Sequence, residues 1–332
     1  MLSRWIPLEK DLVELEDKIA EVEELNKAEH LDFTDKIEEL RAAHQQLLEQ
    51  TFKTLTPWDR VQLARHPKRP YTLDYVNTLF TDFMELHGDR RFGDDGAVVA
   101  GLAKFDGRSV AVVGYQKARE VKERQRRNFG MPMPEGLRKA ERVMKLAAKF
   151  GKPIITFVDT PGAACLIQAE ERGISEAIAQ NQMTMSQLRV PIIVVFIGEG
   201  ASGGAIAIAL GDRILMLEHA YYTVISPEGC ASILWRDASK AADAAEALKI
   251  TAQDAMKLGI ADDIIPEPLG GAHRNPAQTA ENIRVALRNH LEPLRLLNGD
   301  ELVEQRYQKF RAMGAFTEPL AEETGDAAGP AT

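Results

Sequence analysis

Gly200-Ala201-Ser202-Gly203-Gly204 follows the apolar run 192–197, and a turn of this composition has more than one chemical reading. With side chains absent at Gly200, Gly203 and Gly204, backbone N–H groups can approach a ligand closely. At the start of a helix such groups are fixed and carry partial positive charge, so they stabilise a developing oxyanion without reorganising. The same residues spell G-x-S-x-G, the pattern of a nucleophile elbow with Ser202 as nucleophile. A triad in elbow order needs an acid and then a histidine downstream, and the candidates are Asp212 or Asp237 followed by His273 or His290. Asp212 follows just past the predicted helix, and nothing upstream resembles an HGGG donor loop. The third reading is a tight strand-to-helix turn that only packs an α/β core.

Either chemistry requires a buried strand leading into the turn and a helix leading out. The β-branched and aromatic run 192–197 predicts that strand, ending at Gly198. Upstream, Val98–Phe105 and 109–115 read as strands joined at Asp106-Gly107, a type I′ hairpin signal. A helix is predicted over 135–150, with Leu137, Ala140, Met144 and Ala147 on one face and Gly151 closing it. A strand at 153–158 then runs into the loop Asp159-Thr160-Pro161-Gly162, and a helix over 168–188 returns to the central strand. Strands at Arg213–Leu217 and 222–225 precede helices at Pro227–Trp235 and 240–258. The order is a succession of strand-strand-helix units. No GxGxxG follows the first strand and no GxxxxGK[ST] occurs, so the usual nucleotide-phosphate sites lack support. At the N-terminus, Leu8, Leu12, Leu15, Ile19 and Val22 form a heptad stripe, and Thr34 is placed as the N-cap of a second helix through Ile37, Leu40 and Leu47. These two helices predict a hairpin over residues 1–54, packed on the main domain (55–315) or on another subunit; the Ala-, Gly-, Glu- and Pro-rich residues 316–332 read as a disordered tail.

The chain of 332 residues is long enough to bury a substantial core, and its net charge of −9 disfavours nonspecific nucleic-acid binding. The charge is uneven: residues 9–30 hold nine acids against Lys10, Lys18 and Lys27, while 117–127 hold six basic side chains against Glu120 and Glu123. The leading residues lack the apolar core of a signal peptide, and no apolar run approaches the roughly 20 residues a bilayer requires. Two cysteines, Cys165 and Cys230, form neither a disulfide framework nor CxxC zinc spacing. The expectation is a cytoplasmic protein with no metal site of its own.

Longer strings run through the chain in a fixed order: LTPWDRVQLARHPKRPYTLDY at 55–75, HGDRRFGDD at 87–95, RRNFGMPMPEGLRKA at 126–140, PIITFVDTPGA at 153–163, AEERGISEAIA at 169–179, IGEGASGGA at 197–205, VISPEGCASILW at 224–235 and IIPEPLGGAHRNP at 264–276. Together, over residues 5–315, they resemble the α subunits of bacterial acetyl-coenzyme A carboxylase carboxyltransferase. The resemblance implies a crotonase-like α/β fold of the ClpP/crotonase superfamily, a spiral of ββα units. It implies transfer of a carboxyl group from carboxybiotin, borne on the biotin carboxyl carrier protein, to acetyl-coenzyme A. Malonyl-coenzyme A results, in the first committed step of fatty acid synthesis. The implied partners are a β subunit, which carries a zinc ribbon and the coenzyme A half of the site, the carrier protein and biotin carboxylase, with an α2β2 carboxyltransferase.

By the same resemblance, the backbone of Gly203 and Gly204 forms the oxyanion hole for biotin, and Ser202 becomes a turn residue. Asp159, Pro161, Gly162 and Gly200 would line the groove, Ser226, Pro227, Glu228 and Gly229 would close it, and Arg126, Arg127 and Asn128 would meet the carrier or coenzyme A. After DTPGA the family usually continues Tyr-Pro-Gly and a further glycine-containing stretch, whereas here stand Ala164, Cys165, Leu166, Ile167 and Gln168. That departure implies a loop held in another shape or less well, and Lys117-Ala118-Arg119-Glu120 replaces the family's Lys-Gly-Arg-Asp. Two alternatives follow: a partner-binding subunit with weakened catalysis, and a stand-alone crotonase-type hydratase or hydrolase using Glu199 or Glu228 as its acid/base.

Overall fold

In the computed structural model, residues 6–28 and 33–314 are described. Residues 1–5, residues 29–32, where the sequence places the break between two helices, and the residues from 315 onward, including the predicted tail, lie outside them. A short 3-10 turn, Pro7–Glu9, leads into α1 (Lys10–Ala28), and α2 (Thr34–Lys53) follows. Phe33, not Thr34, occupies the cap position of α2. The two helices are clamped side by side by Arg41–Glu23 at 2.7 Å and His44–Glu16 at 3.0 Å. Of the predicted stripe only Leu12 is fully buried, with Val13 beside it. What fastens α1 to the rest of the chain is polar: buried Glu9 accepts from His66, His273 and Arg274, and Glu16 pairs with Arg274.

Helices α3 (Pro57–Ala64) and α4 (Thr72–Leu79) lead to β1 (Thr81–Glu85), β2 (Val98–Phe105) and β3 (Arg108–Tyr115). Asp106 and Gly107 both have positive φ, +48° and +76°, as the two-residue hairpin requires. After α5 (Val121–Arg126), α6 (Pro134–Lys149) buries the predicted face and ends at Gly151, φ +61°. The chain continues through β4 (Ile154–Thr160), α7 (Ile167–Glu171), α8 (Ile174–Gln187), β5 (Ile192–Ala201) and α9 (Ser202–Ile206). It then forms β6 (Arg213–Leu217), β7 (Tyr221–Thr223), α10 (Pro227–Trp235), α11 (Ala241–Leu248), α12 (Ala252–Lys257), β8 (Asp263–Ile265), α13 (Pro276–Leu294) and α14 (Gly299–Arg311).

One sheet runs β1-β2-β3-β4-β5-β6-β8, antiparallel through β3 and parallel beyond, with β7 also paired to β5. Every residue of β4 and β5 is buried, as expected for parallel strands covered on both faces. β5 does not stop at Gly198. Its first half pairs with β6, and Glu199, Gly200 and Ala201 pair with Tyr221, Tyr222 and Thr223 of β7, so the strand carries straight into α9. The predicted long helices are each two: Gly173 at φ +79° separates α7 from α8, and Lys249 at φ +52° separates α11 from α12. No described helix is long and apolar enough to cross a membrane.

Candidate active site

The C-terminal ends of β4 and β5 bring two loops together. A Cβ placed on Gly204 would lie 2.7 Å from the Gly162 carbonyl carbon and 2.8 Å from the Ala163 nitrogen, so only glycine lets the loop after β4 rest against the start of α9. Gly162 has φ +143°, and Thr160 Oγ1 pins this loop by bonding both the N–H and the carbonyl of Gly162. The first N–H groups of any helix have no partner within it, and those of Gly203 and Gly204 are in that position. Because α9 has five residues, little macrodipole builds up, and what the turn offers is the local direction of these N–H groups. Beside Ser202 and Gly203 opens a cavity of about 920 Å³ with an apolar wall of Ile206, Tyr222, Val224, Leu258 and Phe310.

Ser202 lies in the left-handed region, φ +55°, and is exposed. Its hydroxyl has no hydrogen-bond partner among the described residues, and the histidines proposed for a triad are engaged elsewhere: His273 with Glu9, His290 with Asp263. Asp212 is buried in a bidentate pair with Arg306. The elbow reading therefore lacks its geometry.

Behind the turn lies a buried ion network. Lys117 Nζ reaches Asp159 Oδ1 at 2.7 Å and Glu199 Oε2 at 2.5 Å, and Asp159 Oδ1 also accepts the Glu199 N–H at 2.9 Å. Arg65 joins Glu199 to Glu228, with Tyr221 Oη donating to Glu199 at 2.7 Å. Burial alone would raise the pKa of Glu199, but the charges of Lys117 and Arg65 outweigh it and hold the carboxyl at about 2. Burial dominates at Asp159 and pushes it up, with Lys117 offsetting only part. Lys117 itself is raised, because its two carboxylates more than offset its own burial. With its pKa held at about 2 and its carboxylate bonded by Lys117, Arg65 and Tyr221, Glu199 is not poised as an acid/base for hydration.

The remaining candidates divide by environment. Pro161 is exposed at the loop tip, whereas Asp159 is buried with its bonds spent on strand ends. Gly200 packs flat on Phe196, where a Cβ would come within 2.3 Å of the ring. Ser226 caps α10 by accepting the Gly229 N–H at 3.1 Å, Pro227 fills the first helical position, and Glu228 is held by Arg65. Arg126 pairs with Glu123, Arg127 bonds Glu123 and the Gly96 carbonyl, and Asn128 donates to the Met131 carbonyl. Asn128, Phe129 and Gly130 all have positive φ, at +42°, +56° and +82°, so this basic segment is a tightly wound turn. It touches the site loop through Gly130 against Lys117 and through the Ala164 N–H on the Pro132 carbonyl at 3.0 Å. In the divergent stretch Ala164 is 2% exposed, while Leu166 and Ile167 are 47% and 77% exposed. These two side chains face outward and do not replace an aromatic contact inside. No local pattern in the sequence marks Arg65 or Tyr115: Arg65 sits in a polar, proline-marked segment, and Tyr115 reads as the last residue of a strand.

One His/carboxylate cluster, Glu9 with His66 and His273, has the proximity of a metal site. The atoms that face one another are committed: Arg274 lies on Glu9, and the Lys68 N–H on His66 Nδ1 at 3.2 Å makes Nε2 the protonated nitrogen, while His273 Nδ1 is buried without a partner among the described residues. The cluster is a clasp for α1 and does not fit a cation.

Residues 5–314 match the family described as acetyl co-enzyme A carboxylase carboxyltransferase-like. The chain is 55% identical over 319 residues, 96% of its own length and 100% of the relative's, to the acetyl-coenzyme A carboxylase carboxyl transferase subunit alpha of Geobacter metallireducens. It is 52% identical over 314 residues, 95% of its length and 98% of the relative's, to the corresponding subunit of Thioalkalivibrio sulfidiphilus. Among solved structures it superposes on transcarboxylase 12S, a hexamer with methylmalonyl-coenzyme A bound, with a TM-score of 0.54 and 22% identity over 68% of this chain. It spans 43% of that longer chain, a likeness that carries the fold alone. The fold is crotonase-like, and the chain belongs to the acetyl-coenzyme A carboxylase carboxyltransferase family as a relative of its α subunits.

Proposed function

We propose that this chain is the α subunit of an acetyl-coenzyme A carboxylase carboxyltransferase and forms the half of its active site that receives carboxybiotin. The observation that carries this is the Gly203-Gly204 turn, packed on the Gly162-Ala163 loop beside an apolar cavity, with no nucleophile–base pair formed at it among the described residues. Carboxybiotin is a substrate delivered by a separate carrier protein. Its mostly apolar bicycle with one polar ureido edge suits apolar walls with N–H donors at one end.

Cleavage of the N1–carboxyl bond leaves CO2 and a ureido anion, whose oxygen gains charge as the bond breaks. N–H groups of Gly203 and Gly204 stabilise that oxygen more than they stabilise the neutral ureido carbonyl, which is the requirement for lowering the barrier. The ureido anion takes a proton from the acetyl methyl group, and the resulting enolate attacks CO2 to give malonyl-coenzyme A. The thioester oxygen needs donors of its own, which a β subunit would supply across the exposed apolar rim of Ile206, Val224 and Leu258. In this reading the zinc ribbon belongs to that partner, two copies of each subunit assemble as α2β2, and biotin carboxylase regenerates carboxybiotin in the cytoplasm. Arg126 and the cations near it are assigned to contact with the carrier or with coenzyme A.

The test is reconstitution. Purified chain, purified β subunit and their mixture are assayed for carboxyl transfer between malonyl-coenzyme A and biocytin. Activity in the mixture alone supports the half-site; transfer by this chain free of a second protein rejects it, and hydration of an enoyl thioester favours the stand-alone reading.

A further inference from the structure

Tyr115 Oη donates to the Gly204 carbonyl at 2.5 Å, and among the described residues no other side chain bonds the backbone of residues 202–205. We propose that Tyr115 is a positioning residue for carboxyl transfer, holding the Gly204 carbonyl on the core side of the turn so that N–H groups alone face the ligand. This rests on the reading of Gly203 and Gly204 as oxyanion donors.

A regular helix would bind the Gly204 carbonyl through the Ile208 N–H, four residues on. That N–H goes instead to the Ala205 carbonyl at 3.4 Å, while the Gly203 carbonyl keeps its helical partner in the Ala207 N–H at 3.2 Å. The helix thus leaves the Gly204 carbonyl without a partner of its own, and Tyr115 supplies one. Gly204 has no Cβ to hinder rotation about its ψ angle. A carbonyl swung toward the ligand would put its negative end where an oxyanion develops. It would oppose the very charge the neighbouring N–H groups are placed to stabilise.

Tyr115 is built to prevent that swing. It is the last residue of β3, it pairs across the hairpin with Val98, and its own carbonyl accepts Thr72 Oγ1 at 2.5 Å. Its side chain is fully buried, so the hydroxyl has no water to turn to. Burial also raises the phenol well above its ordinary pKa, which keeps the proton on the oxygen and the hydroxyl a donor at any working pH.

The experiment uses the carboxyltransferase reconstituted with its β subunit. Tyr115→Phe removes the hydroxyl alone. It is expected to lower kcat about 10- to 100-fold, to leave KM for biocytin within about threefold, and to leave assembly intact. Tyr75→Phe is the control, since Tyr75 is equally buried and its hydroxyl has no hydrogen-bond partner among the described residues; its kcat should stay within about twofold. Incorporating p-aminophenylalanine at 115 keeps a donor on the ring and should restore most of the rate. Should Tyr115→Phe fail to assemble, p-fluorophenylalanine, which keeps the bulk without the donor, replaces it in the same comparison. Unchanged kcat in the donor-free variant, or an equal loss in Tyr75→Phe, overturns the role of Tyr115. Full activity in Gly204→Ala would instead remove the turn itself from the site, so the two failures are told apart.

Discussion

Gly204→Ala adds one carbon at the point where the two site loops meet, and its consequence can be worked from the contacts. The new Cβ would stand 2.7 Å from the Gly162 carbonyl carbon, 2.8 Å from the Ala163 nitrogen and 3.0 Å from the Gly162 oxygen. All three are backbone atoms, so no side chain can rotate away. Ordinary contact begins near 3.4 Å, and the loops must part by about 0.7 Å. A misplacement of about 1 Å in a catalytic constellation costs roughly 10²-fold, and losing one oxyanion donor costs about 10²- to 10³-fold. Gly204→Ala is therefore expected to lower kcat by about 10²-fold or more while the protein still folds and assembles. Gly203→Ala is the internal comparison. Its Cβ would meet only Ile178 Cδ1 at 3.0 Å, the end of a flexible side chain, and its N–H is retained, so a loss below about tenfold is expected. The assay is malonyl-coenzyme A formation by the reconstituted enzyme, with size-exclusion chromatography to count assembled protein. Equal effects of the two substitutions, or near-normal turnover in assembled Gly204→Ala, would refute the geometry.

Ser202→Ala should retain most of the transfer rate, and Ser202→Gly should raise the unfolding temperature slightly, because Ser202 sits at φ +55° without a bonded hydroxyl; a loss of about 10⁴-fold in either would revive the nucleophile. Glu267, buried against Arg69 at 2.5 and 2.9 Å, would be raised by burial, yet Arg69 and His219 hold it near 2. Since its folded pKa lies below the ordinary 4.5, its stabilisation is present above pH 4.5 and is lost as pH falls toward 2. Glu267→Gln should cost about 3–5 kcal/mol at pH 7 by stranding a buried arginine and should flatten the fall in stability between pH 5 and 3; urea unfolding at several pH values that shows the parental slope would contradict this. Restoring Tyr-Pro-Gly at Ala164, Cys165 and Leu166 should leave the transfer rate unchanged or lower it, since Ala164 is 2% exposed and its N–H is bonded to Pro132. A higher rate than the parent's would show that the present loop is impaired.

Local signals in the sequence carried the elements whose boundaries are fixed locally. The Asp106-Gly107 pair, the Pro227 start of α10 and the helical face of α6 all lie where composition and periodicity place them. What stayed hidden depends on residues far apart in the chain. Gly198 reads as a strand terminator, but its lack of a Cβ makes room for Asp159 Oδ1, which an added carbon would approach within 2.5 Å. β5 continues because β7, formed some twenty residues later, supplies new partners. Arg65 and Arg69 lie in a segment that looks solvated, yet they reach Glu199 and Glu267, more than a hundred residues away. The site divides in the same manner. The glycines of the turn are conspicuous because their chemistry is carried by what they lack, whereas Tyr115 acts across the sheet through a single oxygen and leaves no local pattern.

The most direct test is to see where biotin sits. The reconstituted carboxyltransferase, crystallised with biocytin, should show the ureido oxygen within about 2.7–3.1 Å of the backbone nitrogens of Gly203 and Gly204, with the bicycle along the wall of Ile206, Tyr222 and Val224. Biotin seated instead in the separate pocket lined by Arg65, Lys117, Arg124 and Pro161, with no oxygen near the turn, would contradict the assignment of the oxyanion site to this backbone.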